Sequence, residues 1–431
     1  MPRSARRSLA SVSAAWLGLP MILTCAVFGG LVVRSLGFWS GMAAIAVGNL
    51  ILTLYVGFLS YLAGCSGKNF ALMARRTFGS RGYVVPAAFL ATIVTGWFAF
   101  QTGLTGETLK NSAGWSPMWT SLAAGAGYVA VTLLGIRALT WIGVIAAPLY
   151  LVLGITAVCF VTSRPGASKF ATYPGDGAGT MGFAAAVTLV VALFADSGTM
   201  TADFTRWSRS GRAAVLASLS AFPLGNSVAL VIGGLIVAMG GADDPASSGG
   251  DFLGILASHG GALVPLAIAF VLINLGSVCA HCLYNGAVAW SQLAGTRMRP
   301  TALLLGTVGA LLAVAGVWSH FEEWLNLLGV IVPPIGTILI VDQLRSTLWI
   351  TPRNVDASAR SAAWRPAAFA AWAAGAAGAL VAHDVADWLS TAVIGIAVAA
   401  LVLLLSEARP PRRIPPTRPR ALPHGSQGTS T

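Results

Sequence analysis

Charge is what this sequence has least of. Only 9% of its 431 residues are Asp, Glu, Lys or Arg, against 56% hydrophobic, and the mean hydropathy is +0.77. A water-soluble domain carries nearer a quarter charged residues, so that class is excluded. Also missing are the ten-residue segments of alternating polarity that mark a transmembrane barrel. Cysteine is sparse: Cys25, Cys65, Cys159, Cys279 and Cys282 lie in or beside apolar runs without framework spacing, which predicts no structural disulfide. The opening RSARRSLASVSAAWLGLPMILTC has the basic-then-apolar order of a signal peptide but no small-residue cleavage site, so it reads as an uncleaved first helix.

What the chain has instead is one apolar run after another. About 20 helical residues cross a ~30 Å hydrocarbon core. Runs of that order fall at 12–33, 40–64, 83–106, 117–136, 139–162, 181–205, 213–240, 261–293, 300–318, 324–346, 366–382 and 385–405, which predicts an all-α polytopic membrane protein of twelve spans. With the N-terminus in the cytoplasm, 22 of the 26 Lys and Arg fall inside, leaving Arg34, Lys110, Arg164 and Lys169 outside. The outer loops collect acids: Glu107, Asp176, Asp243, Asp244, Asp251, Glu322, Glu323, Asp384 and Asp387. Such an alternation collapses if one span is missed or invented. It also accounts for the net charge of +12 without nucleic acid, because no basic face lies on a soluble domain. The expected setting is the lipid bilayer of a plasma membrane, the bacterial inner membrane, with both ends cytoplasmic and the chain a monomer.

Residues 1–11 form the cytoplasmic N-terminus, and five spans over 12–162 return the chain to the outside, so residues 181–346 run inverted. An odd-numbered unit is what an inverted-topology transporter requires. Residues 163–180 read as a surface connection, 366–405 as two added helices, and the Pro- and Arg-rich 406–431 as a disordered tail near anionic lipid. The first helix of each unit carries breakers: Gly18, Pro20 and Gly29-Gly30 in one, Asp196-Ser197-Gly198 in the other. A broken helix frees backbone groups that survive in a membrane only where protein or a wet cavity receives them. Its half-helix ends then offer carbonyls to a cation and amides to a polar substrate. Asp196, midway along the apolar stretch 181–207, is costly against lipid and is expected to face a cavity, a partner or a permeating species.

Six segments in order, GNLILTLYVGFLSYLAG, ALMARRTFG, TGWFAF, SGTMTADFTRW, CLYNGAVAWSQLAG and VIVPPIGTILIVDQL, resemble the nucleobase-cation-symport-1 family, most of all its bacterial cytosine permeases. The resemblance spans roughly residues 12–350. It implies two inverted five-helix repeats with broken helices 1 and 6 plus two C-terminal helices, the architecture of sodium-coupled amino-acid transporters. It also implies cation-coupled uptake of a small heterocycle, stacked between Trp97 and Phe194; a planar ring gains about 0.5–1.5 kcal/mol from such stacking beyond its burial. The carried-over substrate positions are Val94, Trp97, Phe194, Asp196, Ser197, Gly198 and Cys279. The carried-over cation ligands are the carbonyls of Gly18 and Ile22 and the side chains of Asn274, Ser277 and Val278.

The chain departs from the cytosine permeases at several of these. Val94 stands where they have Gln, Cys279 where they have Asn, Ala280 where they have Asp, and Asp196 where they have Ser. Val278 supplies no hydroxyl. Specificity identical to theirs is therefore not expected, and the coupling ion stays open between Na+ and H+. Asp196 has three readings: two N–H bonds from an aminopyrimidine edge, a proton carrier, or a structural carboxylate held by neighbouring N–H groups. His281, four residues past Ser277, reads either as a proton relay or as a histidine bonded between helices. Cys279-Ala280-His281-Cys282 cannot close a tetrahedral site on one helix, so no metal beyond sodium is expected. Pro333-Pro334-Ile335-Gly336 should distort its helix, and the resemblance makes that helix a gate. Asp203 and Asp342 are placed to pair with Arg206 and Arg345. The expected activity is import of a nucleobase such as cytosine; the alternatives are another purine or pyrimidine or a vitamin-precursor ring such as hydroxymethylpyrimidine. A channel would want a continuous polar pore, and an enzyme a nucleophile or metal set that the sequence does not offer.

Overall fold

The computed structural model describes residues 3–17, 19–164, 167–176, 181–348, 362–386 and 388–407. Gly18 and the tail from residue 408 lie outside the described residues. All regular structure among the described residues is helical apart from one isolated bridge between Arg7 and Ser208. Among the described residues, eight helices are long and apolar enough to cross a membrane, and four shorter apolar helices fall at the other expected spans. This is a multi-pass membrane protein.

Two half-helices, α1 (Leu9–Leu17) and α2 (Leu23–Leu36), form the first span. Between them Leu19 and Pro20 bend, and Ile22 is extended (φ −123°, ψ 152°). The expected break is there, but Gly29 and Gly30 lie inside α2 as continuous helix. Their role is contact: a Cβ on Gly29 would overlap the Leu230 carbonyl of the facing helix, and a Cβ on that helix's Gly233 would overlap Ala26 O. Small residues let membrane helices approach closely where no hydrophobic force drives them together.

The chain continues through α3 (Phe38–Ser66), a short amphipathic α4 (Phe70–Phe78), α5 (Val84–Ala113), α6 (Pro117–Leu134) and α7 (Ile136–Thr162). A 3-10 turn, Ala167–Thr172, occupies the following connection, which Arg34 and Asp176 tie to the end of α2 at 2.6 Å. The next span is broken twice, into α8 (Phe183–Ala192), α9 (Ala195–Thr199) and α10 (Ala202–Thr205). Its main break lies at Phe194 (φ −138°, ψ 19°), slightly before the expected Asp196-Ser197-Gly198, which form a helical turn of their own. Gly198 N–H closes that turn onto Phe194 O (2.8 Å).

An interruption the sequence reading missed splits the seventh span into α11 (Gly211–Leu219) and α12 (Asn226–Ala238). Between them Phe222 leaves helical geometry and Pro223 has no N–H to donate. Then follow α13 (Leu253–Ser258), α14 (Leu263–Ala294), α15 (Met298–Val314), α16 (Phe321–Leu348), α17 (Pro366–Val385) and α18 (Thr391–Glu407). α16 runs as one helix through Pro333 and Pro334, neither of which has an N–H to donate. Thr337 Oγ1 donates to Pro333 O (2.9 Å) and Trp372 Nε1 to Ile331 O (2.9 Å), so side chains help hold this stretch. α5 packs along α14, α2 along α12, and α3 against α8 and α11, so the interrupted first, sixth and seventh spans pack against one another or around α3.

Candidate functional site

The rings of Trp97 (α5) and Phe194 (the break before α9) are nearly parallel, at 14°, with centroids 6.5 Å apart. Phe321 at the start of α16 stands edge-on to Trp97 (5.2 Å, 80°), and Phe222 from the kink before α12 leans on Phe194 (5.2 Å, 52°). Trp97 is 3% exposed, Phe194 4% and Asp196 0%, so the slot is closed to solvent.

Polar atoms at the rim of the slot are incompletely paired. Asp196 Oδ1 accepts from Ser197 Oγ at 3.4 Å, while Oδ2 is buried without a hydrogen-bond partner. Trp97 Nε1, beside that carboxyl, is likewise buried and unpartnered. One turn after Trp97, Gln101 accepts from Thr24 of α2 through Oε1 and leaves Nε2 unpartnered. At the edge of the stack, then, lie an unpartnered Gln101 amide and a Trp97–Asp196 couple that interact without closing a full hydrogen bond. Leaving such a group unpaired costs about 1–3 kcal/mol, more for a charge, and buried polar groups normally find partners.

The site residues expected from sequence separate along α14. Asn274, Val278 and Cys282, four apart, share one face, and Asp196 lies within electrostatic range of Cys282. Leu275, Cys279 and Leu283 share the next face. Cys279 Sγ there donates to Phe98 O (3.7 Å) and meets Thr102 Oγ1 (3.6 Å), in a cluster with Ala124 and Tyr128. The structure thus turns Cys282, not Cys279, toward the carboxylate. Val94 packs toward Gly286 of α14, and Gly198 lets α9 meet Val56 of α3. Gln101 and Cys282 were missed by the sequence reading; the signal for each was helical spacing, four residues beyond Trp97 and beyond Val278.

At the break in the first span, Asn274 serves the backbone. Its Nδ2 donates to Met21 O (2.9 Å) and its Oδ1 accepts Leu23 N–H (2.9 Å), which satisfies groups the helix cannot. Ile22 O accepts Cys25 N–H (2.9 Å). His281 Nδ1 lies 2.7 Å from Ser277 O; a carbonyl only accepts, so that nitrogen carries the hydrogen. His281 and Ser277 both face Gly143 of α7.

Beneath the slot, Tyr55 of α3 shares a hydrogen with Thr199 Oγ1 (2.6 Å) and seats its hydroxyl against Gly336, where a Cβ would overlap it. Asp203 accepts Phe70 N–H at the start of α4 (3.0 Å). Asp342 pairs with Arg365 (2.8 Å) and accepts from Thr77 Oγ1 (2.7 Å), so both acids anchor α4.

Comparison with known proteins places this geometry. The cytosine permease of Escherichia coli (strain K12) is 29% identical over 346 residues, 80% of each chain. Mhp1, a nucleobase-cation-symport-1 family transporter in a closed conformation with bromovinylhydantoin bound, shares the fold. Its TM-score is 0.73 at 22% identity, over 94% of this chain and 92% of that one. A Na+-coupled sialic acid symporter in a substrate-bound outward-open state also shares it, at a TM-score of 0.68 and 14% identity over 93% of this chain and 90% of that one. Residues 2–404 match the family described as permeases for cytosine and purines, uracil, thiamine and allantoin, and to that permease family the chain belongs.

Proposed function

We propose that this protein imports a nucleobase or closely similar planar heterocycle by alternating access, with the ring held between Trp97 and Phe194. The observation that carries this reading is the near-parallel ring pair 6.5 Å apart with unpartnered Trp97 Nε1 and Asp196 Oδ2 at its edge. A ring between two others needs about 7 Å, two ~3.5 Å carbon contacts, so a small opening admits it. Asp196 accepts ring N–H groups, and Gln101 Nε2 donates to a ring carbonyl or nitrogen. The cytosine permease relatives favour a nucleobase over a vitamin-precursor pyrimidine.

The chain spans the inner membrane twelve times with both ends cytoplasmic, as its basic residues require. Residues 12–162 and 181–346 are the inverted repeats, residues 366–405 the added helices, and α16 the gate. Coupling is to a cation, and the donor set favours H+ over Na+. Sodium needs a shell of oxygens, yet the Asn274 side chain is engaged at both ends with helix backbone and Val278 brings no oxygen. Asp196 instead can carry a proton inward and release it with the substrate, since an uncompensated buried charge costs on the order of several kcal/mol. His281, held by Ser277 O, is the second proton-exchanging group near the break.

The test is counterflow of labelled cytosine in proteoliposomes with Na+ and pH varied independently. Accelerated exchange driven by a pH gradient and indifferent to Na+ is expected. Cytosine flux without accelerated exchange would indicate a channel, and a strict Na+ requirement would overturn proton coupling.

A further inference from the structure

A second cavity of about 580 Å³ lies at the end of α5 that carries Glu107 and Lys110. This is within the size range of small-molecule sites, about 300–1,000 Å³. On the orientation above, it opens outward. Its walls come from α2, α5, α6, the loop before α13, and the turn between α15 and α16.

Two of its polar groups are built in rather than solvated. Thr108 is 2% exposed, lines the cavity, and turns its hydroxyl to the Asp251 carboxyl. Asp251 is fixed by Leu253 N–H, which donates to Oδ1 at 2.8 Å. A hydroxyl able to donate or accept thus sits next to an acceptor, as at the rim of the Trp97 slot. The mouth carries the Glu107–Lys110 pair, 3.2 Å apart and exposed.

One wall is aromatic and continuous with the slot. Trp318 lines the cavity and stacks on Phe321 (5.0 Å, 27°), and Phe321 stands edge-on to Trp97. Rings therefore run from the outer cavity to the Trp97–Phe194 pair with Phe321 between them. We infer that the outer cavity is a second, weaker binding station for the same class of ligand, a planar ring bearing N–H groups. There the ring lies against Trp318 with its polar edge on Thr108 and Asp251, before it passes Phe321. This rests on the heterocycle reading of the slot, and it adds a site that the slot does not include. The station offers one aromatic face where the slot offers two, so it binds about tenfold or more weakly.

The experiment is equilibrium binding of radiolabelled cytosine to the purified full-length chain. Wild type is expected to bind a tight equivalent and a weaker one. Trp97→Ala should remove the tight equivalent and keep the weak one. Thr108→Val and Asp251→Asn, which barely change shape, should remove the weak equivalent; unchanged tight binding in the same samples shows that they fold. A single Trp97-sensitive equivalent in wild type would overturn the outer station and leave the heterocycle reading standing. A weak equivalent indifferent to Thr108→Val and Asp251→Asn would also overturn it. No saturable cytosine binding at all would overturn both.

Discussion

The midplane slot and the outer cavity use related chemistry under opposite conditions. The slot is dry and closed, with two aromatic faces and orphaned polar atoms at its edge. The cavity is open and mixed in polarity, with one aromatic wall, Trp318, and a buried hydroxyl, Thr108, beside the Asp251 carboxyl. Hydrogen bonds and charges count for more where water is excluded. On the readings proposed above, selectivity and coupling belong to the slot and capture to the cavity.

The largest expected effect comes from Asp196→Asn, which removes the charge and one acceptor from the slot. Uptake in proteoliposomes should fall by about 10–100-fold, the worth of a hydrogen bond to a charged group, and its pH dependence should flatten. Normal uptake with an unaltered pH profile would mean that the carboxylate is structural. Next is the slot's floor. Gly336→Ala presses a methyl against the Tyr55 hydroxyl and should cost about 1–3 kcal/mol of stability, read as a lower Tm of the purified protein. Adding Tyr55→Phe should recover part of it, and an unshifted Tm in the single variant would show that α3 and α16 are not tightly seated. Trp97→Ala should remove the tight cytosine equivalent from the range where wild type binds it; unchanged affinity would remove the stacking model.

The smallest effect separates the two sites by pH. Burial pushes the Asp251 carboxyl up to about 6, partly offset by the Leu253 N–H and the Thr108 hydroxyl. Glu107 and Lys110 from α5 and Tyr150 from α7 are the other charged or titratable groups around it. The ionised carboxylate accepts ring N–H groups more strongly than the neutral acid, which keeps less acceptor capacity. The weak equivalent should thus lose affinity, by a few fold to about tenfold, as pH falls through about 6, read by equilibrium binding to the wild-type chain. A weak equivalent that strengthens on acidification would contradict this assignment.

Much of the slot could be read from the sequence, because Trp97, Phe194 and Asp196 sit in segments with a recognisable likeness. What misled there was local. Cys279 and Cys282 are three residues apart on one helix, and only packing against α5 and α6 shows that Cys279 turns into the Phe98–Tyr128 cluster. Gly29 and Gly30 look like breakers in a string of letters, yet they are contact points for α12 and the loop before α13. Helical spacing from Trp97 pointed to Gln101, but its importance rests on Thr24, 77 positions away, which engages Oε1 and leaves Nε2 exposed to a ligand.

By itself, the sequence determined that the chain lives in a bilayer and where its apolar runs lie, since these follow from local composition and the cost of charge in hydrocarbon. It also located the break near Pro20, a property of the backbone at that residue. Tertiary structure alone decided how that break is repaired, by Asn274 reaching Leu23 across 251 positions. It likewise decided which side chains face the slot, and it brought Thr108, Asp251 and Trp318 around one cavity. Those outcomes depend on which helix faces meet, and hydrogen bonds between distant residues have no period to read along the chain.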